Sequence, residues 1–225
     1  MSHQIAIDGP AGAGKSTIAK LVSGKLGFIY VDTGAMYRAM ALYLHRNGIS
    51  ADDPEKIAAG CGGADISIEY RDGEQVVLLA GENVNAWLRT EEVSAMASKS
   101  SAVPRVRERL LQLQQELAAT QNVVMDGRDI GTVVLPDAQV KIYLTASVEV
   151  RAKRRYLEQK AKGEKVDLKE IEAEIAERDH RDMTREVAPL KLADDAVLVD
   201  SSDMTIDEVA QRILAIVKEK MALEK

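Results

Sequence analysis

The sequence is short of cysteine, histidine and aromatic residues, and each shortage excludes something. A single cysteine, Cys61, leaves no intramolecular disulfide and no cysteine-based zinc site. The three histidines, His3, His45 and His180, are too scattered to make a local metal motif. Aromatic residues make up 4% of 225 positions, so the core has to be built from Ala, Val, Leu, Ile and Met. No apolar run approaches the ~18 residues of a membrane span. Met1-Ser2-His3-Gln4 carries no basic stretch followed by an apolar one, so no leader peptide is expected and a cytoplasmic setting is. Positive charge is not in excess either. Thirty Lys and Arg against 36 Asp and Glu give a net charge of −6. That argues against non-specific binding to nucleic acid or an anionic membrane, and leaves room for a local basic site that takes a phosphorylated small molecule.

What is present is ample core material and a regular rhythm. A hydrophobic fraction of 46% and a charged fraction of 29% suit a soluble globular chain, expected to form one domain over residues 1–225. Gln4 to Asp8 reads as a short buried strand, Lys15 to Leu26 as a helix stopped by Gly27, Phe28 to Val31 as a second strand and Met36 to Arg46 as a second helix. Strand and helix in alternation indicate a parallel α/β sheet. Residues 64–81 break the pattern. Two strand-like runs flank Asp72-Gly73, a hairpin signal, so an antiparallel piece is expected as an insertion. Further strands are expected at 122–125, 140–144 and 196–199, and helices over 91–98, 104–119, 148–160, 168–181 and 206–221. The expected fold is α/β: a P-loop NTPase-type parallel five-stranded sheet flanked by helices, with an antiparallel β insert and a helical lid.

Gly9-Pro10-Ala11-Gly12-Ala13-Gly14-Lys15-Ser16 matches G-x-x-x-x-G-K-[ST] and stands between the first strand and the first helix, as a phosphate-binding loop requires. Its glycines allow backbone N–H groups to curl around phosphate oxygens, and the helix N-terminus adds partial positive charge. Lys15 can reach the terminal phosphates and the Ser16 hydroxyl can ligate Mg²⁺. A dinucleotide fingerprint fails, because its third glycine would fall on Thr17. The Asn-Lys-x-Asp motif of a GTPase is missing.

Three further clusters accompany the loop. Thr33, Tyr37 and Arg38 follow the second strand, where a hydroxyl, a phenol and a guanidinium can jointly hold a phosphate. Asp126-Gly127-Arg128-Asp129 closes a buried strand, a place from which a carboxylate can help organise Mg²⁺. Arg151, Arg154 and Arg155 on one helix, and Arg178, Arg181 and Arg185 on another, suggest a mobile lid; guanidinium groups offer planar, multidentate donors to phosphate. Arg178, Arg181 and Arg185 share one face if their helix persists, and neither Arg181 nor Arg185 reads as a core residue. His180 and Cys61 read as a surface residue and a small packing residue.

With these motifs the chain resembles the nucleoside monophosphate kinases, and within them the long bacterial type of the cytidylate kinase family. The marks are the loop, Asp32 to Arg38, Arg89-Thr90 before Val93, Pro104 to Glu108, the run Asp126 to Val134, Glu177 to Asp182, and Val187 to Leu190. The resemblance implies Mg²⁺- and ATP-dependent phosphorylation of CMP and dCMP; a monomer working on small-molecule nucleotides, without nucleic-acid or membrane partners, is expected. It implies an acceptor-binding insert at about 60–100 and an arginine-rich lid at about 151–189. ATP would lie on Gly9, Pro10, Ala11, Gly12, Ala13, Gly14, Lys15, Ser16 and Thr17, with Mg²⁺ on Ser16 and Asp126 in its outer shell. Thr33, Tyr37, Arg38 and Arg128 would hold the acceptor's phosphate and sugar, and Ser98, Arg107 and Asp129 its base. Arg178 and Arg185 would approach the acceptor, and Arg151, Arg154 and Arg181 the transferring phosphoryl group. The catalytic set so implied is Lys15, Arg128, Asp129, Arg154, Arg181 and Arg185. Thr33 stands where many relatives carry serine, and the hydroxyl is kept. The residues alone leave open another small-molecule P-loop kinase, such as a UMP or shikimate kinase, and a nucleotide sensor without transfer.

Overall fold

The computed structural model describes residues 2–221. In chain order its elements are β1 (Gln4–Asp8), α1 (Lys15–Leu26), β2 (Ile29–Asp32), α2 (Thr33–Arg46), α3 (Pro54–Gly60), β3 (Ile66–Arg71), β4 (Glu74–Leu79), β5 (Glu82–Asn83), α4 (Glu91–Ser100), α5 (Pro104–Thr120), β6 (Val123–Gly127), β7 (Val140–Thr145), α6 (Val148–Ala161), α7 (Leu168–Thr184), β8 (Val197–Asp200) and α8 (Ile206–Met221). The parallel sheet has five strands in the order β2-β6-β1-β7-β8, and a separate antiparallel sheet runs β3-β4-β5. This is the expected α/β architecture with its antiparallel insert. The chain forms two compact units, one of His3–Phe28 with the chain from Val123 onward, the other Ile29–Asn122.

In the first unit β1 is central. It pairs in parallel with β6, Ile5 opposite Val124 and Asp8 opposite Gly127, and on its other side with β7. Such a strand is covered on both faces and needs an unbroken apolar run, which Ile5, Ala6 and Ile7 supply, all fully buried. Helix α1 turns Ile18, Ala19 and Val22 inward and packs on β6 and α8. Helices α6 and α7 form a hairpin with a small core of its own, Ala152 with Ile171 and Ile175, extended by Val148, Tyr156, Val166 and Leu168. Each starts at a side-chain cap: Ser147 accepts from Val150 N, and Asp167 from Lys169 N and Glu170 N.

In the second unit α2 begins at Thr33, three residues before the sequence pattern suggested. Asp32 caps it by accepting from Ala35 N at 2.8 Å, and that cap makes Thr33 to Ala35 the first turn. The hairpin forms where Asp72-Gly73 placed it, with φ values of 53° and 80° that suit the tight turn. Helix α3 and the two-residue strand β5 were not expected. Strand β5 has no room for an alternating pattern, and α3 is only seven residues long. Cys61 is fully buried, a packing residue as its sequence context suggested.

The last residue of β1 positions the turn after β6. The Asp8 carboxylate accepts from the backbone N–H of Ile130 at 2.8 Å and of Gly131 at 2.7 Å, the first amides of a π-helical turn at Ile130–Val134. Gly9 then leaves the strand at φ 149°, and a Cβ there would run into the carbonyl oxygen of Leu144 on β7. Burial pushes the Asp8 carboxyl up to about 6, against the pull of the two amides and with the help of Asp129. The folded protein therefore holds this proton more tightly than the unfolded chain does. Its contribution to stability is present below the ordinary carboxylate range and is lost as the pH rises through about 6. Asp8→Asn removes that titration. Thermal melts of both proteins at a series of pH values should show the melting temperature of the variant, relative to the parent, rising between about pH 4 and about pH 6. A difference that stays constant with pH would contradict the buried, late-titrating carboxyl.

Candidate active site

The phosphate loop bridges β1 and α1 in the first unit. Helix α1 starts straight after Gly14 with no side chain capping it, so its first amides are not taken by a neighbouring side chain. Lys15 is buried, 6% exposed, and its Nζ donates to the carbonyl of Pro10 at 2.8 Å, folding back over the loop. Burial pulls the amine down to about 7. Repulsion by Arg128 and Arg178 adds to this, and Asp126 and Asp182 oppose it. Burial is the largest cause, with two guanidinium groups and two carboxylates acting on the amine in opposite senses, and a bound phosphate would offset the cost of burying its charge.

Ser16 Oγ donates to Asp126 Oδ2 at 3.0 Å, so the loop hydroxyl and the strand-end carboxylate stand together. Both are hard oxygen donors. Among the described residues no three His, Cys, Asp or Glu side chains group closely enough to hold a metal ion. A pair of oxygen donors suits Mg²⁺, which keeps waters and is shared with substrate phosphates rather than caged by protein.

Arg128, Arg151, Arg154, Arg155, Arg181 and Arg185 are each held by a carboxylate or a carbonyl. Arg128 Nε donates to Asp182 Oδ2 at 2.8 Å. Burial alone would raise the Asp182 carboxyl, but Arg128, with Arg178 and Arg185, holds it below its ordinary range. Arg151 is 3% exposed and donates to Ala146 O, to Ala11 O in the phosphate loop at 2.9 Å, and to Asp179 Oδ2 at 2.6 Å. It braces the loop from behind. Arg154 is turned to Ser201, donating to its carbonyl at 2.7 Å and to its hydroxyl at 3.3 Å. Arg155 pairs with Glu174 near the surface, and Arg181 is exposed beside Glu177.

Arg185 differs from expectation. Helix α7 ends at Thr184, so Arg185 is its cap rather than a further residue on the arginine face. The chain reverses through Ala188 at φ 50°, Leu190 N donates to Asp182 O, and Arg185 Nε donates to Ala188 O at 2.7 Å. Its NH2 group meets Asp129 Oδ1 at 3.3 Å, and both side chains are 7% exposed. Arg185 did not read as a core residue, yet it is buried, because the carboxylate of Asp129, 56 positions away, compensates its charge. His180 is exposed, as expected.

In the second unit the acceptor candidates group around α2. Thr33 is buried at its first position and Tyr37 lies one turn on. Arg38 pairs with Asp32 at 3.0 Å through NH2 while its buried Nε has no hydrogen-bond partner. The guanidinium of Arg107 lies 5.4 Å from the centre of the Tyr37 ring, a cation–π arrangement, and NH1 donates to Ser101 O. Ser98 Oγ, on α4, is buried without a partner. Unsatisfied groups at Arg38 and Ser98 cost free energy unless a ligand meets them.

Sequence reasoning missed Asp8, Asp179 and Asp182 as organising groups. A carboxylate inside an otherwise apolar strand was the available signal for Asp8. Asp179 and Asp182 stood within the quoted arginine run, but which arginine each would meet depends on the fold.

Comparison with known proteins identifies the family. The family described as cytidylate kinase matches residues 5–219. A cytidylate kinase of Caldicellulosiruptor bescii is 55% identical over 210 residues, 93% of either chain. One of Lactobacillus johnsonii is 49% identical over 217 residues, 96% of this chain and 94% of that one. Among solved structures, an uncharacterized protein from Eubacterium ventriosum shares the fold at 13% identity, with a TM-score of 0.53 over 96% of this chain and 99% of that one. With a full-length family match, and with its phosphate loop, strand-end carboxylates and arginines in one framework, the chain belongs to the cytidylate kinase family.

Proposed function

We infer that this protein transfers the γ-phosphoryl group of ATP to CMP and dCMP, giving CDP or dCDP and ADP. The observation that supports the reading is Lys15: an amine buried on the phosphate loop, folded back on Pro10 O, whose charge is disfavoured by burial and would be compensated by a bound phosphate. ATP is held by residues 9–17, with loop amides and Lys15 on its phosphates. Ser16 and Asp126 are the residues that would hold Mg²⁺, which shields the phosphate charge when it enters with ATP.

The acceptor is held by Thr33, Tyr37, Arg38 and Arg128 at its phosphate and sugar. Ser98, Arg107 and Asp129 read cytosine, with Arg178 and Arg185 supporting the acceptor. An oxygen of its α-phosphate forms a bond to the γ-phosphorus as the bond to the ADP oxygen breaks. The acceptor phosphate is already ionised, so no general base is needed and the residues act by positioning and charge. Arg154 and Arg181 serve the transferring group. The hairpin of α6 and α7, with only a small core of its own, acts as the lid that excludes water. The insert at about 60–100 belongs to acceptor binding and the segment at about 151–189 to the lid. The protein works as a soluble monomer in the cytoplasm on small-molecule nucleotides.

A coupled assay of ADP release with CMP, dCMP, UMP, AMP, GMP and shikimate as acceptors tests the substrate. CMP and dCMP should be the preferred acceptors. A preference for another acceptor, or ATP binding with no transfer, would overturn the reading. Lys15→Ala should lose about 3–4 kcal/mol of transition-state stabilisation, the order found for loss of a preorganised donor, while its circular dichroism stays that of the parent.

The two lid arginines should separate kinetically. Arg181 is exposed and paired only at the surface, so it is available to the transition state. Arg181→Ala should lower kcat by ~10²–10³, the scale of one lost preorganised donor, with little change in the KM for CMP. Arg185 is anchored to Asp129, so Arg185→Ala should raise the KM for CMP as well. Lysine at either position should rescue in part, having lost the planar fork. A kcat for Arg181→Ala within about threefold of the parent would make the arginine a solvated surface residue.

A further inference from the structure

The inserted antiparallel sheet touches the acceptor half of the second unit at a point with specific chemistry. Gln75, near the start of β4, sends its side-chain amide to the backbone of Asp32 at the end of β2. Its Oε1 accepts from Asp32 N at 2.8 Å and its Nε2 donates to Asp32 O at 3.2 Å. The amide thus satisfies both backbone groups of one residue, as a neighbouring strand would. Asp32 has its remaining bonds elsewhere: Oδ1 accepts from Ala35 N and caps α2, and Oδ2 accepts from Arg38 NH2 at 3.0 Å. One residue therefore links the insert, the helix start and the arginine.

The surroundings keep both ends of the link in place. Gln75 itself is braced by Asn85, which donates through Nδ2 to Gln75 O at 2.9 Å and accepts from Val77 N at 3.0 Å. Tyr70 on β3 donates its hydroxyl to Tyr30 O at 3.1 Å, a second tie from the hairpin to β2. On the other side, Gly34 is bare where a Cβ would stand 3.0 Å from Arg38 NH1 and 3.1 Å from Asp32 Oδ1, so Arg38 can lie back over the first turn of α2. The guanidinium is fixed at one end while its Nε is buried with no partner.

We propose that Gln75 is a positioning residue for acceptor binding: by clamping the Asp32 peptide from the insert, it fixes the Asp32–Arg38 pair and so the direction in which Arg38 meets the acceptor phosphate. This rests on the assignment of Arg38 to the acceptor. It gives the inserted hairpin a defined task, the aim of one guanidinium, and it makes the insert's effect specific to the acceptor rather than to ATP.

The test is a double-mutant cycle of Gln75→Leu and Arg38→Ala, with Gln75→Glu as a second variant that keeps the acceptor for Asp32 N–H and loses the donor to Asp32 O. Steady-state constants for CMP and for ATP and a thermal melt are taken on each protein. Gln75→Leu removes both hydrogen bonds to Asp32 and should raise the KM for CMP by about five- to thirtyfold, the scale of one to two lost hydrogen bonds, with the KM for ATP unchanged. Gln75→Glu should do the same or less. In the Arg38→Ala background Gln75→Leu should add nothing further, because its effect passes through that guanidinium. If Arg38→Ala raises the KM for CMP and either Gln75 variant lowers only the melting temperature, the clamp is structural and the proposal fails. If the two changes add independently, Gln75 acts by another route and the proposal also fails. If Arg38→Ala itself leaves the KM for CMP unchanged, the acceptor assignment fails and the clamp falls with it. Should Gln75→Leu not fold, Gln75→Glu decides by the same criteria.

Discussion

An amine held out of water at the carboxyl ends of parallel strands is the constraint on which the rest depends. Lys15 is buried beside two guanidinium groups, and burial and repulsion together bring its proton affinity down to about 7. A fold of marginal stability does not keep such a group without use for it. The charges facing it explain the layout: Asp126 and Asp182 offset part of the repulsion, Arg128 is held by Asp182, and Arg185 by Asp129. Arg128 and Arg185 are each tethered by a carboxylate, while Lys15 is tied only to the carbonyl of Pro10, so an anion at the loop would offset the cost of its burial.

The backbone supports this arrangement at the one place where strands β1 and β6 end side by side. Asp8 joins the two by taking the first two amides of the turn that follows Asp129, and Gly9 lets the phosphate loop depart where any side chain would strike β7. Arg151 supports the loop through the carbonyl of Ala11 and ties it to α7 through Asp179. The loop carbonyl of Ala11 and the Asp179 carboxylate of α7 thus share one buried guanidinium on α6.

Much of this was legible in the sequence, for physical reasons. The phosphate loop requires glycines, a lysine and a hydroxyl at fixed spacing between a strand and a helix, so its residues announce it. Buried parallel strands show as apolar runs, and Asp72-Gly73 marks a turn that few other pairs make. What was not legible depends on partners far along the chain. Arg185 looks like a surface cation until Asp129 is beside it, 56 positions away, and Gln75 is an ordinary strand residue until its amide meets Asp32 across 43 positions. Helix α3 and strand β5 were missed because elements of seven and two residues carry too little periodicity to read.

The central claim is that Lys15 is a strained cation awaiting phosphate, and the most direct measurement is its titration by NMR in protein with isotope-labelled lysine, without and with MgATP. In the free protein the account predicts a midpoint at about 7, well below that of the other lysines. With MgATP bound the midpoint should move up by more than about two pH units, as phosphate oxygens replace repulsion with attraction. A Lys15 that titrates with the surface lysines in the free protein, or one that nucleotide leaves unmoved, would contradict it.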